Sequence, residues 1–290
     1  MDLSRSRSVN SGIGIPLQKN LKLTLWHSSI GLGGYGREGK CVSGDFLESV
    51  PDKVSVVVNP QSLILPPWVQ SIIDAHWAEA TNQHPGWFRG VVFTITGMMK
   101  NSSELRFQLR ATDYARYWAT ISGRVSGSYA CRVLYGAGIV CTTDKFLVFG
   151  QMGEHTAYPG RLQGIGGGLD STDVIGDRIV MVRSLLRELK EEIGVDTANV
   201  VPFALKTGGP WNFVVLVYVV HVPMTLANLT ARYWDCEAWL RCQGQTPEFA
   251  KTVAVPANPQ AVSRFLADES RPMVGYLPPS VIRLVAESCR

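Results

Sequence analysis

Apolar and polar positions begin to alternate near residue 21. Leu21-Lys22-Leu23-Thr24-Leu25-Trp26 has the period of a strand, and Val54-Ser55-Val56-Val57-Val58 is a second strand candidate, ended by Asn59-Pro60. Pro66-Pro67 then opens a predicted helix through Val69, Ile72, Ile73 and Trp77, because proline fits a first helical turn. Phe93-Thr94-Ile95 and Leu105-Arg106-Phe107-Gln108-Leu109 read as two strands joined across residues 100–103, with Thr112-Asp113 positioned to cap a short helix. A Ser/Gly-rich stretch at 122–128 marks a domain boundary. Beyond it, strand-like runs at 131–141 and 145–149, a helix over about 177–193 and a strong strand at 213–222 alternate in α/β fashion. Two further helices are predicted at 260–267 and 279–287. The pattern divides the chain into a tail at 1–20, an α+β domain at 21–125 and a larger α/β domain at 126–290.

Composition narrows the class. With 290 residues and 46% hydrophobic content the chain can bury a sizeable core. A formal charge of +4, spread along the chain apart from Arg5 and Arg7, suits a small polyanion better than nucleic acid, and no basic stripe interleaved with aromatics is present. The longest apolar run, Phe213 to Val222, is far shorter than the roughly 20 residues of a membrane span. The first residues lack the apolar core of a secretory signal, so the expected address is the cytoplasm, with an organellar leader left open. The cysteines at 41, 131, 141, 236, 242 and 289 form no C-x-x-C pair and read as free thiols, with Cys236 and Cys242 able to approach in a loop.

The segment richest in chemistry runs from Gly164-Ile165-Gly166-Gly167-Gly168-Leu169-Asp170 to Arg187-Glu188-Leu189-Lys190-Glu191-Glu192-Ile193-Gly194-Val195. On a helix, Ile179, Val182, Leu186, Leu189 and Ile193 share an apolar stripe, and Glu188, Glu191 and Glu192 fall roughly opposite it. Three like charges in one turn repel by about a few tenths of a kcal/mol per pair, which invites a cation among them. Oxygen ligands on a rigid element suit a hard divalent ion such as Mg²⁺, with Mn²⁺ as a substitute. Glutamate-rich helix faces are more often plain solvated surface. The upstream glycines tip the balance, because they let main-chain groups approach phosphate or metal. A second glycine motif, Gly31-Leu32-Gly33-Gly34-Tyr35-Gly36, fits G-x-G-x-x-G, but Arg37-Glu38-Gly39-Lys40 offers no helix to receive a pyrophosphate.

Residues 187–195 resemble the second half of the Nudix box at every fixed position, and Tyr158 to Asp170 resembles the run into it. The family pattern is interrupted: setting Gly167 on the box glycine puts Asp173 where a glutamate is usual and requires six extra residues before the helix, most naturally around Val174-Ile175-Gly176-Asp177. The resemblance implies a Nudix α/β/α sandwich over about 126–290. It implies Glu188, Glu191 and Glu192 as holders of Mg²⁺, with a carbonyl of the Gly166, Gly167, Gly168 turn as a further ligand and Arg187 orienting the glutamates. It also implies a later acid as base or ligand, for which Glu248 is the candidate.

The reaction implied is hydrolysis of a diphosphate bond in a small nucleotide-linked substrate, with no nucleic-acid or membrane partner and a monomeric or homodimeric protein. Pro85 to Phe93, Leu105 to Tyr114 and Tyr117 to Thr120 further resemble the N-terminal domain of UDP-glucose/galactose diphosphatases. That branch would give UMP and a sugar 1-phosphate, with Arg89, Arg106 or Arg110 touching phosphate or sugar. Trp211 is a candidate to stack on a base. An ADP-ribose or dinucleotide diphosphatase is the alternative substrate reading. A Nudix module that binds nucleotide without catalysis is the alternative in kind, though such modules usually lose box carboxylates that this chain keeps.

Overall fold

The strand Val214–His221 (β11) is buried along almost its whole length, which explains why it reads as an unbroken apolar run instead of an alternating one. Its Val214, Leu216, Tyr218 and Val220 belong to one apolar cluster, and its Val215, Val217 and Val219 to another. A helix layer therefore covers each face of its sheet. The computed structural model describes residues 46–61, 63–156 and 158–288. The candidate strand at 21–26, the glycine run at 31–36 and the tail at 1–20 lie outside the described residues.

That sheet has seven strands. Its main path runs Phe46–Ser49 (β1), Asn199–Thr207 (β10), β11, Leu134–Cys141 (β5), Phe146–Met152 (β6) and Phe249–Pro256 (β12), while Leu162–Gln163 (β7) pairs with β6. Only β11 and β5 run parallel within it. One face packs on helices Met181–Ile193 (α3) and Leu226–Cys242 (α4) through Leu185, Leu189, Leu229 and Tyr233. The other packs on Pro259–Asp268 (α5) and Leu277–Ser288 (α6) through Val262, Leu277 and Val281. This is an α/β/α sandwich.

The preceding part is α+β, as the pattern predicts. Lys53–Asn59 (β2), Val91–Lys100 (β3) and Glu104–Asp113 (β4) lie in a second sheet, accompanied by helices Pro67–Gln83 (α1) and Tyr114–Ile121 (α2). Asp113 caps α2 by accepting the Arg116 N–H at 3.0 Å. This sheet is completed from elsewhere in the chain. Val174–Ile175 (β8) and Arg178–Ile179 (β9) form a tight hairpin whose second strand pairs with β2, setting Val56 opposite Ile179.

The six residues in excess of the box pattern are thus the hairpin, and it crosses the 122–128 boundary. In return β1, from the N-terminal side, forms the edge of the larger sheet beside β10. Val56, Phe107 and Leu109 share one buried cluster with Leu185 and Leu216, so the two sheets meet in common apolar packing.

Several expectations need correction. The helix begins at Met181 instead of near 177, because 178–179 is drawn into β9, so Ile179 lies on a strand and not on the helical stripe. Cys236 and Cys242 sit on α4, where the expectation was a loop. Met181, Leu185, Leu189 and Ile193 form the buried apolar face of α3. No helix among the described residues is long and apolar enough to cross a membrane.

Candidate functional site

Gly194 ends α3 in the left-handed conformation, at φ +73°, close against α4. A Cβ there would stand 2.9 Å from Cys236 Cβ and 3.1 Å from the Arg232 carbonyl, so only glycine lets the two helices meet at this distance. The glutamates on α3 are then set by its rotation. Glu188 and Glu192, one turn apart, are both buried, whereas the Glu191 side chain is 40% exposed. Periodicity placed all three opposite the apolar stripe. The structure instead turns two of them inward to the glycine turn and leaves the third at the rim.

The turn itself is held by close main-chain approach. Gly136 N–H donates to the Gly167 carbonyl at 3.2 Å, Gly138 N–H to the Ile165 carbonyl at 2.6 Å, and Ile165 N–H back to the Gly138 carbonyl at 3.0 Å. Gly166 has φ +134°, and a Cβ on it would lie 2.3 Å from the Gly136 carbonyl oxygen. Gly166→Ala should therefore lower stability by about 2 kcal/mol or more, since backbone on both sides must move. A Cβ on Gly167 would meet Glu188 Oε1 at an ordinary 3.4 Å, so Gly167→Ala should fold normally. Urea denaturation of the two variants side by side checks the contrast.

Glu192 Oε2 accepts the Gly166 N–H at 3.0 Å, which fixes that carboxylate on the turn. On the next stretch of the same loop, Tyr276 from the α6 side accepts the Gly164 N–H at 3.0 Å. Burial raises the Tyr276 phenol well above its usual range, so it stays protonated.

Arg187 ties the acids together. It donates from Nε to Asp173 Oδ1 at 3.2 Å and from Nη2 to Asp173 Oδ2 at 3.0 Å, a bidentate pair. Its Nη1 lies 2.8 Å from Glu188 Oε1 and 3.5 Å from Glu191 Oε2. Burial alone would lower the pKa of this guanidinium, but the charges of Glu188, Asp173 and Asp170 and the bond to Asp173 outweigh it and raise the pKa. Asp173 also accepts from Ser184 Oγ and from the Asp170 N–H, both at 3.1 Å. The residue at the interrupted box position is thus a buried anchor for Arg187.

Glu248 lies just before β12, where its carbonyl accepts the Gly153 N–H at 2.8 Å. Trp211 stacks on Phe213 at 5.7 Å, and Phe213 on Tyr117 at 5.6 Å. Two of the basic candidates are engaged by acids: Arg89 reaches Asp113 at 2.7 Å and Asp74 at 2.8 Å, and Arg106 reaches Glu104 at 3.3 Å. Arg110 stands on β4 opposite Thr94 and Asn59. Beside the glycine turn, Gly168 and Leu169 line a narrow crevice of ≈ 10 Å³ with Phe93, Tyr117 and Tyr135, room for about one water, and the N-terminal part supplies one of its sides. Sequence reasoning missed Ser184 and Tyr276, neither of which stands in any spacing that marks it.

Among the described residues no group of three or more His, Cys, Asp or Glu side chains is arranged to hold a metal ion. Glu188 and Glu192 are buried beside the turn, and the Glu191 side chain stands at its rim. Glu188 and Glu192, two carboxylates beside a glycine turn, still fit Mg²⁺, which commonly takes one or two carboxylates and completes its shell with water and substrate phosphate.

No protein-family model matches the chain, and no curated protein matches it in sequence. Among solved structures it is similar to DR0079 from Deinococcus radiodurans, at 18% identity over 53% of this chain and 83% of that one, with a TM-score of 0.36. It is similar to the NUDIX domain of Shewanella oneidensis NrtR complexed with ADP ribose, at 13% identity over 62% of this chain and 100% of that one, with a TM-score of 0.38. A third likeness is to the MutT protein from Methanosarcina mazei Go1, at 13% identity over 55% of this chain and 96% of that one, with a TM-score of 0.36. Overlaps this loose leave the assignment to the site's own geometry.

Proposed function

We infer that this chain is a Nudix-type hydrolase that uses Mg²⁺ to cleave a diphosphate bond in a small nucleotide-linked substrate. The observation that carries the reading is the pair Glu188 and Glu192, buried against the Gly166–Gly167 turn and braced by Arg187. Buried carboxylates on a turn built to bring main chain close are costly unless a cation joins them. Arg187 supplies one positive charge to Glu188, and a divalent ion would supply more. When bound, that ion offsets charge on the phosphate oxygens and lowers the pKa of an attacking water.

The protein's own groups position and shield. Glu188 and Glu192 hold the ion, Arg187 fixes the direction of Glu188, and Asp173 fixes Arg187. The turn, pinned by Gly136, Gly138 and Tyr276, keeps the main chain rigid where phosphate would arrive. Glu191, at the rim, and Glu248 are the carboxylates proposed to complete the ion's shell or accept a proton from water. The substrate proposed is a UDP-sugar, giving UMP and a sugar 1-phosphate, with the N-terminal part forming one wall of its cleft.

Incubation with Mg²⁺ and a panel of UDP-glucose, UDP-galactose, ADP-ribose, dinucleotides and coenzyme A tests this. Release of UMP from the UDP-sugars, abolished by a chelator, is the expected result. Consumption of ADP-ribose alone would replace the substrate, and an inert panel would remove the activity and leave a nucleotide-binding module.

A further inference from the structure

Arg161 stands just before β7, which leads into the glycine turn, and its surroundings differ from those of four other arginines. Arg89, Arg106, Arg187 and Arg271 each face a carboxylate. The contacts of Arg161 are neutral: its guanidinium lies 3.7 Å over the ring centroid of Tyr158, and Nη2 donates to Gln163 Oε1 at 2.9 Å. Its Nε is buried without a hydrogen-bond partner. An aromatic face and an amide oxygen can aim a guanidinium, but neither cancels its charge. A half-buried cation held in this way is incompletely solvated until an anion reaches it.

The backbone under this side chain is fixed. Arg161 donates its N–H to the Tyr158 carbonyl at 3.1 Å and accepts the Met152 N–H at 2.9 Å, and the following residues pair with β6. The place is also right. Arg161 precedes Gly164 by three residues, and the Gly164 N–H donates to Tyr276 at 3.0 Å, so the Arg161 backbone runs directly into the turn. The other arginine at the site, Arg187, has its fork committed to Asp173 and Glu188 and has little left to offer a substrate.

We propose that Arg161 is a substrate-binding residue whose guanidinium takes an anionic phosphate oxygen of the diphosphate as it enters along the glycine turn. The inference rests on the reading of this site as a diphosphate site, and it adds the protein cation that such a substrate meets. Tyr158 and Gln163 then serve as positioning residues that hold the fork ready.

The test uses methylenediphosphonate, a diphosphate mimic whose bridge cannot be hydrolysed, with inorganic phosphate alongside it, both titrated into the whole protein in Mg²⁺. Wild type should bind the mimic more tightly than phosphate. Arg161→Gln should weaken the mimic by about tenfold or more, and Arg161→Lys should recover part of that loss by restoring charge without the fork. The rise in melting temperature caused by the mimic is read within each variant, so a variant that melts lower on its own is still comparable. For any substrate found in the panel, KM should rise with little change in kcat.

Equal affinity of Arg161→Gln and wild type for the mimic, or no binding by wild type, would overturn the proposal. Binding that depends on Arg161 in a protein that hydrolyses nothing would uphold it and overturn the proposed activity instead.

Discussion

Glu192→Gln should reduce turnover by at least about a hundredfold while the protein melts within a few degrees of wild type. The substitution is isosteric, and an amide oxygen can still accept the Gly166 N–H that Glu192 Oε2 accepts at 3.0 Å. The turn therefore keeps its shape, and what is lost is the negative charge that would hold the divalent ion. A stability loss of several kcal/mol would mean that Glu192 acts mainly through the fold. Near-normal turnover would mean that the ligand set is wrong. Circular dichroism melts together with kcat on the best panel substrate separate these outcomes.

Arg187→Met should produce the largest loss of stability. The substitution keeps much of the side chain's volume but leaves Asp173, whose side chain is 3% exposed, and Glu188, at 7%, without the cation between them. Removing one partner from a buried ion pair costs roughly 3–5 kcal/mol, because the remaining charges stay desolvated. For a chain of this size each kcal/mol shifts the melting temperature by about 2–4 °C, so a fall of at least about 6 °C is expected. A loss below about 1 kcal/mol would class these pairs with exposed salt bridges, whose contribution is that small. Thermal melts at low and high salt decide it, since a buried network should respond little to screening.

The helix that carries the glutamates is legible because its residues have a strong period and a glycine stop. Their burial is not legible: Glu188 and Glu192 fall where periodicity predicts a solvated face, and only the approach of the glycine turn encloses them. The hairpin at 174–179 leaves no trace in the pattern, because strands of two residues have no period to read, and its pairing with β2 is more than a hundred residues away in sequence. Helix α4 was missed for another reason. Its buried residues are only Leu229, Tyr233 and the charged Glu237, while Trp234 and Trp239 are exposed, so no clean apolar stripe stands out. Asp173 is recoverable from spacing alone as a substitute for the box glutamate, but its bond to Arg187 is visible only in three dimensions.

The central claim is that Glu188 and Glu192, pressed on the glycine turn, hold a divalent cation. Titration of the full chain with Mn²⁺, followed by the electron paramagnetic resonance signal of the free ion and without substrate, tests it most directly. Wild type should take up the ion, and Glu188→Gln combined with Glu192→Gln should weaken uptake by about a hundredfold or more while retaining the wild-type circular dichroism spectrum. Equal uptake by the folded double variant, or none by wild type, would contradict the account.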